Sequence, residues 1–512
     1  MTPAEDLFEL IKSLTKNEKR FFRLSITLQK GEKNHLRLFD VISKQKEYDE
    51  KAIKKHFAHN KKFIASFSSW KKYLYRSLLK SLRNYYTDHS VNVRLLHIMN
   101  DIETLFQKGL FKQCEKLMDK AKNIAHSHDK YLPFLLLNDY ENAILTRQNY
   151  PKKMNSHFKE RTKNINAMLE KYKNEFEYGQ LSQQIYSLFK KHGYAREKKG
   201  LKKYEYLITN PLLQDDNKAI TFRSKNNFYG IHALYSSLKG DWEATYKYRI
   251  KALELAESRA EIIKGNPRMY INILGNLLVV CDVLKKNDVF KQILQKMRNF
   301  PATSIELQHF IFQRSYTLEF EHYLSNNEFA EGVKLIPAIK EYIEKNNKVI
   351  VNVLAHQFYY NMAYSNFGVG NFSDTLKLLN KILSDSDKEL REDIYCYVRM
   401  LALIVHYELG NEEFLEYDIK SFNRYLDKNH RFYAFESLMI NFFHKIIKFH
   451  SNERQTSFKK LQSELYTFSK KSFMTQVFES FDFISWAKSK IENKSFAEIV
   501  RGKAKQTLIS EQ

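Results

Sequence analysis

Glycine and proline are scarce, with 14 and 7 in 512 residues. A β-sandwich or barrel of this length needs many more turn residues, so the shortage points to long helices. Cysteine is scarcer still. Cys114, Cys281 and Cys396 are odd in number, far apart and without CxxC or CxxH spacing, which argues against a disulfide framework and a zinc site. Each lies in an apolar helical stretch and reads as a small core residue in a reducing cytoplasm. No apolar run approaches the roughly 18 residues that a membrane helix requires. The N-terminus carries Glu5 and Asp6 where a secretory signal would be basic. These absences lead to the expectation of a cytoplasmic protein with no membrane span.

Signatures of chemistry are also missing. Neither GxxxxGK[ST] nor GxGxxG occurs, and HExxH and GxSxG are absent too. The histidine pairs His56 with His59, His126 with His128 and His444 with His450 lack ligand spacing and a neighbouring cysteine. No cofactor, metal or catalytic residue is expected, and the chain reads as a non-enzyme.

What is abundant is apolar residues, at 43%, and positive charge, at +25. A chain this long exceeds one ordinary core, so it divides into domains or grows as a repeat array. The charge comes from 63 Lys and 21 Arg. Sites built for phosphate favour the planar fork of Arg. The lysine excess, alongside plentiful Asn, Ile, Phe and Tyr, therefore reads mainly as a solvated surface raised by base composition.

Helix-breaking marks recur at Gly109, Asn149, Gly193, Gly240, Asn287, Asn327, Gly370, Gly410 and Asn452, with 40 to 47 residues between neighbours. A second series falls between them: 126–133, 210–217, 265–267, 300–304, 346–348, 384–388 and 427–431. Two breaks per period leave helices of about 15 to 20 residues. Around Gly370 the pattern is explicit. Tyr359, Met362 and Ala363 share one helical face, Gly370 suits a left-handed helix end, and Asn371 or Ser373 can cap the next helix, which carries Phe372, Leu376, Leu379 and Leu383.

The run Tyr359-x-x-Met362-Ala363 followed by Gly370-Asn-Phe-Ser-Asp-Thr-Leu376 resembles a tetratricopeptide repeat. Lys239-Gly-Asp-Trp-Glu-Ala244 matches that family's helix–helix turn. Asn327 to Gly332 and Gly109 to Cys114 match it more loosely, with Gly332 and Cys114 where the family places a small residue for close packing. The resemblance covers most of residues 95 to 470. It departs from the family in a period longer than about 34 residues and in mostly lacking the proline that ends the second helix. The resemblance implies an all-α solenoid of antiparallel hairpins over residues 91–495, whose first helices line a groove that binds peptides. Carried onto this sequence, the groove residues are Arg314 and Glu321 in one repeat and Gln357, Tyr360 and Tyr364 in the next. Aromatics at helical spacing also serve as packing between repeats, which is the competing role for Tyr360 and Tyr364.

Residues 1–90 differ, reading as a small basic module of five helices. Thr2-Pro3-x-Glu5 and Thr15-Lys-Asn-Glu18 have the form of capping boxes, Gly31 ends the second helix, and further helices run over 33–46, 49–57 and 66–86. The module holds 20 basic and 10 acidic residues. In its last helix Lys72, Arg76, Lys80 and Arg83 fall on one stripe, opposite Trp70, Leu74, Leu78, Leu82 and Tyr85. Paired with the 49–57 helix, it loosely resembles the helix pair of a helix-turn-helix or winged-helix domain, although the linker is long. The plainer account is the solvated outer face of an amphipathic helix.

The stretch 473–491, with Phe478, Phe481 and Trp486, is expected to form a helix that caps the array, and residues 496–512 a polar tail. The leading expectation is a non-enzymatic scaffold or adaptor that holds a protein or peptide, an acidic one given the charge. The alternative is a nucleic-acid-binding regulator with residues 1–90 as reader and the solenoid as sensor or oligomerisation arm.

Overall fold

The computed structural model describes residues 3–27, 34–86, 91–147, 154–192, 204–302, 304–346, 352–384, 392–428, 434–470, 478 and 480–510. Among them the chain is all-helical, and the most extensive packing joins helices adjacent in sequence. None of the described helices is long and apolar enough to cross a membrane. Two compact units emerge: Met1–Gln184 with Asn210–Phe228 and Glu254–Pro267, and Ile185–Thr209 with Tyr229–Leu253 and Arg268–Gln512.

The first unit opens with six helices: α1 Pro3–Ser13, α2 Lys16–Thr27, α3 Asn34–Lys44, α4 Glu50–His56, α5 Lys61–Ala65 and α6 Phe67–Tyr85. Side-chain caps start α2, α4 and α5, from Thr15, Asp49 and Asn60. The Thr15 N–H donates to Glu18 Oε2 at 2.5 Å and the Glu18 N–H to Thr15 Oγ1 at 3.3 Å, completing one expected capping box. Thr2 and Gly31, assigned to a cap and a stop, lie outside the described residues. Asn60, expected in a loop, instead accepts the Phe63 N–H at 2.9 Å and starts α5. Helix α6 buries Phe67, Leu74 and Leu78 and packs against α1, α2, α3 and α5. Together with Leu7, Ile11, Phe22, Leu38, Phe39, Ile42, Ile53 and Phe63 they form an apolar cluster drawn wholly from residues 7–82, although the unit itself continues past residue 90.

It continues through α7 Val91–Gln107, α8 Phe111–Ser127, α9 Tyr131–Arg147 and, up to Gln184, α10 Met154–His192. The interval 149–193, where no second break occurs in the sequence, holds this single helix of 39 residues. Next come α11 Phe222–Leu238, α12 Trp242–Glu257 and α13 Ala260–Gly265. In the second unit, regular pairs follow: α14 Pro267–Val283 with α15 Asn287–Arg298, α16 Ile305–Ser325 with α17 Phe329–Asn346, α18 Asn352–Gly368 with α19 Phe372–Leu383, and α20 Glu392–Glu408 with α21 Glu412–Lys428. Helices α22 Ala434–Ile446, α23 Ser451–Ser469, α24 Phe483–Glu492 and α25 Phe496–Ser510 complete the chain.

One backbone device makes the tight turns within these pairs. Lys285, Asn327, Gly370 and Gly410, 40 to 43 residues apart, all have positive φ. At Gly370 the N–H of the left-handed residue donates to Phe367 O at 3.0 Å, and the Asn371 N–H reaches back to Asn366 O at 2.8 Å. The same two bonds recur at Lys285, Asn327 and Gly410. This double closure satisfies carbonyls that a helix end leaves unpaired and turns the chain sharply into the next helix. Gly109 and Gly240 turn the same way earlier in the chain.

Several expected breaks shift. The left-handed residue is Lys285, while Asn287 already begins α15, and Asn452 lies in the first turn of α23 rather than between helices. Asn149 and Gly193 lie outside the described residues. Helix α24 starts at Phe483, with Asp482 as its cap, and not at 473; residues 471–477 lie outside the described set. The expected tail from 496 carries α25, with Phe496, Ile499 and Val500 buried, because these three apolar positions share one helical face.

Close approach is bought at two glycines. A Cβ on Gly368 would lie 2.1 Å from the Phe329 ring, and one on Gly332 would lie 2.5 Å from Ser365 Oγ. Cys114, the equivalent small residue in the first unit, is fully buried and donates to Ile102 O at 3.6 Å.

Candidate partner-binding surface

The five groove residues carried over from the repeat pattern separate into two groups. Arg314 and Glu321 lie on α16, Gln357, Tyr360 and Tyr364 on α18, and these two first helices pack against each other. Gln357 Nε2 donates to Glu321 Oε1 at 3.3 Å, joining successive hairpins through exposed side chains. Glu321 is open to solvent, yet burial among surrounding protein atoms raises its carboxyl above the usual range, with Arg314 pulling the other way. Arg314 is half-buried, and its guanidinium lies over Gly275, where a Cβ would come within 2.7 Å of Nε. Burial lowers its affinity for the proton, Glu321 opposes that, and Nε is buried without an acceptor.

Tyr360 and Tyr364 have a different neighbour. The Tyr360 hydroxyl donates to Ser480 O at 2.9 Å, and the Tyr364 hydroxyl accepts the Asp482 N–H at 3.3 Å. The Tyr364 ring lies 5.3 Å from Phe481 and 5.8 Å from Phe329. Burial raises both phenol pKa values. At this repeat, then, the surface assigned to a partner is covered by the chain's own residues 480–496. Trp486, fully buried, anchors them through Nε1 to Glu408 Oε1 at 2.7 Å, and Lys490 Nζ reaches Glu408 Oε2 at 2.5 Å. The aromatic density of this stretch was visible in the sequence as a cap. The specific seat on α18 was not, since nothing local links Tyr360 to a residue 120 positions away.

A second network joins α14 to α16. Asp282 Oδ1 lies 2.6 Å from His322 Nδ1, Ser325 Oγ donates to Asp282 Oδ2 at 2.9 Å, and Phe290 stacks on the His322 ring at 4.0 Å. Burial pushes the Asp282 carboxyl up, but these hydrogen bonds outweigh it and leave it below its ordinary value. The arrangement is a clamp between repeats.

In the first unit all four stripe residues of α6 are exposed: Lys72, Arg76, Lys80 and Arg83. Leu74 and Leu78 are buried on the other side, with Trp70, Leu82 and Tyr85 half-buried. Lys72, Arg76 and Lys80 have no carboxylate partner among the described residues, whereas the adjacent Lys71 pairs with Glu50 at 2.7 Å. Helix α5 intervenes between α4 and α6, so the two helices do not form a tight helix-turn-helix. No group of three or more potential metal ligands occurs among the described residues. Comparison with protein-family models finds no match, and comparison with curated proteins finds none either.

Proposed function

We propose that the chain is a non-enzymatic cytoplasmic scaffold or adaptor, built from tetratricopeptide-like hairpins of about 40 to 47 residues, that holds a protein or peptide segment along the first helices of its repeats. The observation that supports this reading most is the polar contact between α16 and α18. There Glu321 and Gln357 bond across successive hairpins while staying open to solvent, and the half-buried Arg314 sets its positive charge close to Glu321. Polar groups held in register by a rigid scaffold, with hydrogen-bonding capacity to spare, suit an extended peptide that brings backbone carbonyls and acidic side chains. Tyr360 and Tyr364 drop out of the contact set, because residues 480–496 already cover them.

A peptide-display screen against the full chain tests the proposal. A recovered peptide is expected to bind roughly tenfold or more weakly to Arg314→Ala and to Gln357→Ala, the worth of a hydrogen bond to a charged group or of a partner left unpaired. Unchanged affinity for both variants rejects this surface.

The exposed cations on α6 favour a second reading, nucleic-acid binding through the first unit. If Lys72, Arg76, Lys80 and Arg83 each contact a phosphate, affinity for duplex DNA should fall roughly 100-fold between about 50 and 200 mM salt, from a slope near −0.9 per contact. Replacing all four with Gln should flatten that slope. A slope that the replacements leave unchanged excludes the stripe.

A further inference from the structure

Helices α19, α20 and α21 enclose a half-open cavity of about 320 Å³ whose described lining includes Leu383, Leu403, Phe422, Ser421, Arg399 and Asp418. Its volume is at the lower end of small-molecule sites, roughly 300 to 1,000 Å³. The feature that decides its chemistry is Arg399. The guanidinium stacks against the rings of Tyr395 and Tyr425, at 4.9 and 5.4 Å from their centroids. Nη1 donates to Ser421 Oγ at 3.2 Å and Nη2 to the Tyr395 hydroxyl at 3.0 Å. These contacts fix the plane of the cation but do not neutralise it. No carboxylate among the described residues pairs with Arg399, and its Nε is buried without an acceptor.

Among the described residues, the one acid on the cavity wall, Asp418, is already engaged. Asp418 Oδ2 lies 3.3 Å from His406 Nε2, and the His406 ring is itself stacked with Phe414. A half-buried cation without a counter-charge is costly unless an anion arrives. Here it is held rigidly by two aromatic rings and two hydroxyls at the edge of a cavity whose described wall includes Leu383, Leu403 and Phe422. The geometry points to a binding site for a small organic carboxylate. Its carboxylate pairs with Arg399, and its short aliphatic body lies against Leu383, Leu403 and Phe422. A dianionic phosphate fits less well, because Asp418 lines the same space and repels a second negative charge. The site is independent of the surface on α16 and α18, so the failure of either leaves the other standing.

Calorimetric titration of the full chain with hexanoate, hexanamide and inorganic phosphate tests the site. Hexanoate is expected to bind roughly tenfold or more tightly than hexanamide, since the two differ in charge but hardly in shape, and more tightly than phosphate. Arg399→Gln should abolish the preference for the acid, whereas Arg424→Gln, an exposed residue on α21, should leave it intact. Equal binding of acid and amide to the unaltered chain overturns the proposal, and that comparison decides it even if Arg399→Gln does not fold. Retention of the preference in a folded Arg399→Gln variant also overturns it. Tighter binding of phosphate than of hexanoate overturns the assignment to carboxylates.

Discussion

Glu50 receives two lysines, Lys54 one turn further along α4 at 2.8 Å and Lys71 from α6 at 2.7 Å. Hydrogen bonds from Lys54 and Lys71 bring its carboxyl down to about 2, with a smaller contribution from the Tyr48 hydroxyl. A depressed carboxylate stabilises the fold above its unfolded value and loses that contribution as protons bind on acidification. Thermal melts should therefore show stability declining from about pH 5 towards pH 2, with part of the decline missing in Glu50→Gln. Identical pH profiles for the two proteins would mean that solvent screens the pair. The local half of this arrangement was legible in advance, because Glu50 and Lys54 are one helical turn apart. The half involving Lys71 was not, since it depends on how α6 lies against α4. The same division holds for the four cations of α6. Their exposure followed from helical spacing alone, whereas the helix that separates α4 from α6 required Asn60 to act as a cap instead of a loop residue.

At the scale of the element, the double-bonded left-handed turn is the unit that the sequence repeats most faithfully. It is easily read where glycine occupies the special position and harder to read where it does not. Gly370 and Gly410 stood out in the sequence, but Lys285 did not, and the break was placed two residues late at Asn287. Lysine has no preference for positive φ, so only the hydrogen bonds reveal it. A Cβ on Gly370 meets nothing within 4 Å, so substitution there strains only the backbone. Gly370→Ala should cost about 1 kcal/mol. Gly368→Ala, two residues earlier, should cost about 1 to 3 kcal/mol, because its Cβ would overlap the Phe329 ring and the core must shift. Denaturant unfolding of the two variants measures the difference. A larger loss at Gly370 than at Gly368 would mean that turn strain, rather than interhelix contact, limits how closely α18 can pack.

Across the molecule as a whole, an array of hairpins is expected to be quasi-one-dimensional, each repeat touching only its neighbours and free to fray from an end. The second unit departs from that expectation at Tyr360 and Tyr364, where residues 480–496 return over some 120 positions of sequence to pack on α18. Phe481, Phe483, Trp486 and Phe496 join the same apolar cluster as Phe329, Phe367 and Phe443. The last helices are therefore part of the core of the unit. This bears on the proposed function, because α18 can then offer its Gln357 end to a partner while its Tyr364 end serves as structure. Trp486→Ala should cost about 3 to 5 kcal/mol as a large-to-small change in a packed interior, and hydrogen exchange can locate the loss. If the return contact couples the unit, amides of α18 should lose protection together with those of α24, although they are far apart in sequence. Loss confined to α24 and α25 would show instead that the chain end frays independently, leaving the surface of α18 around Tyr360 open to a partner after all.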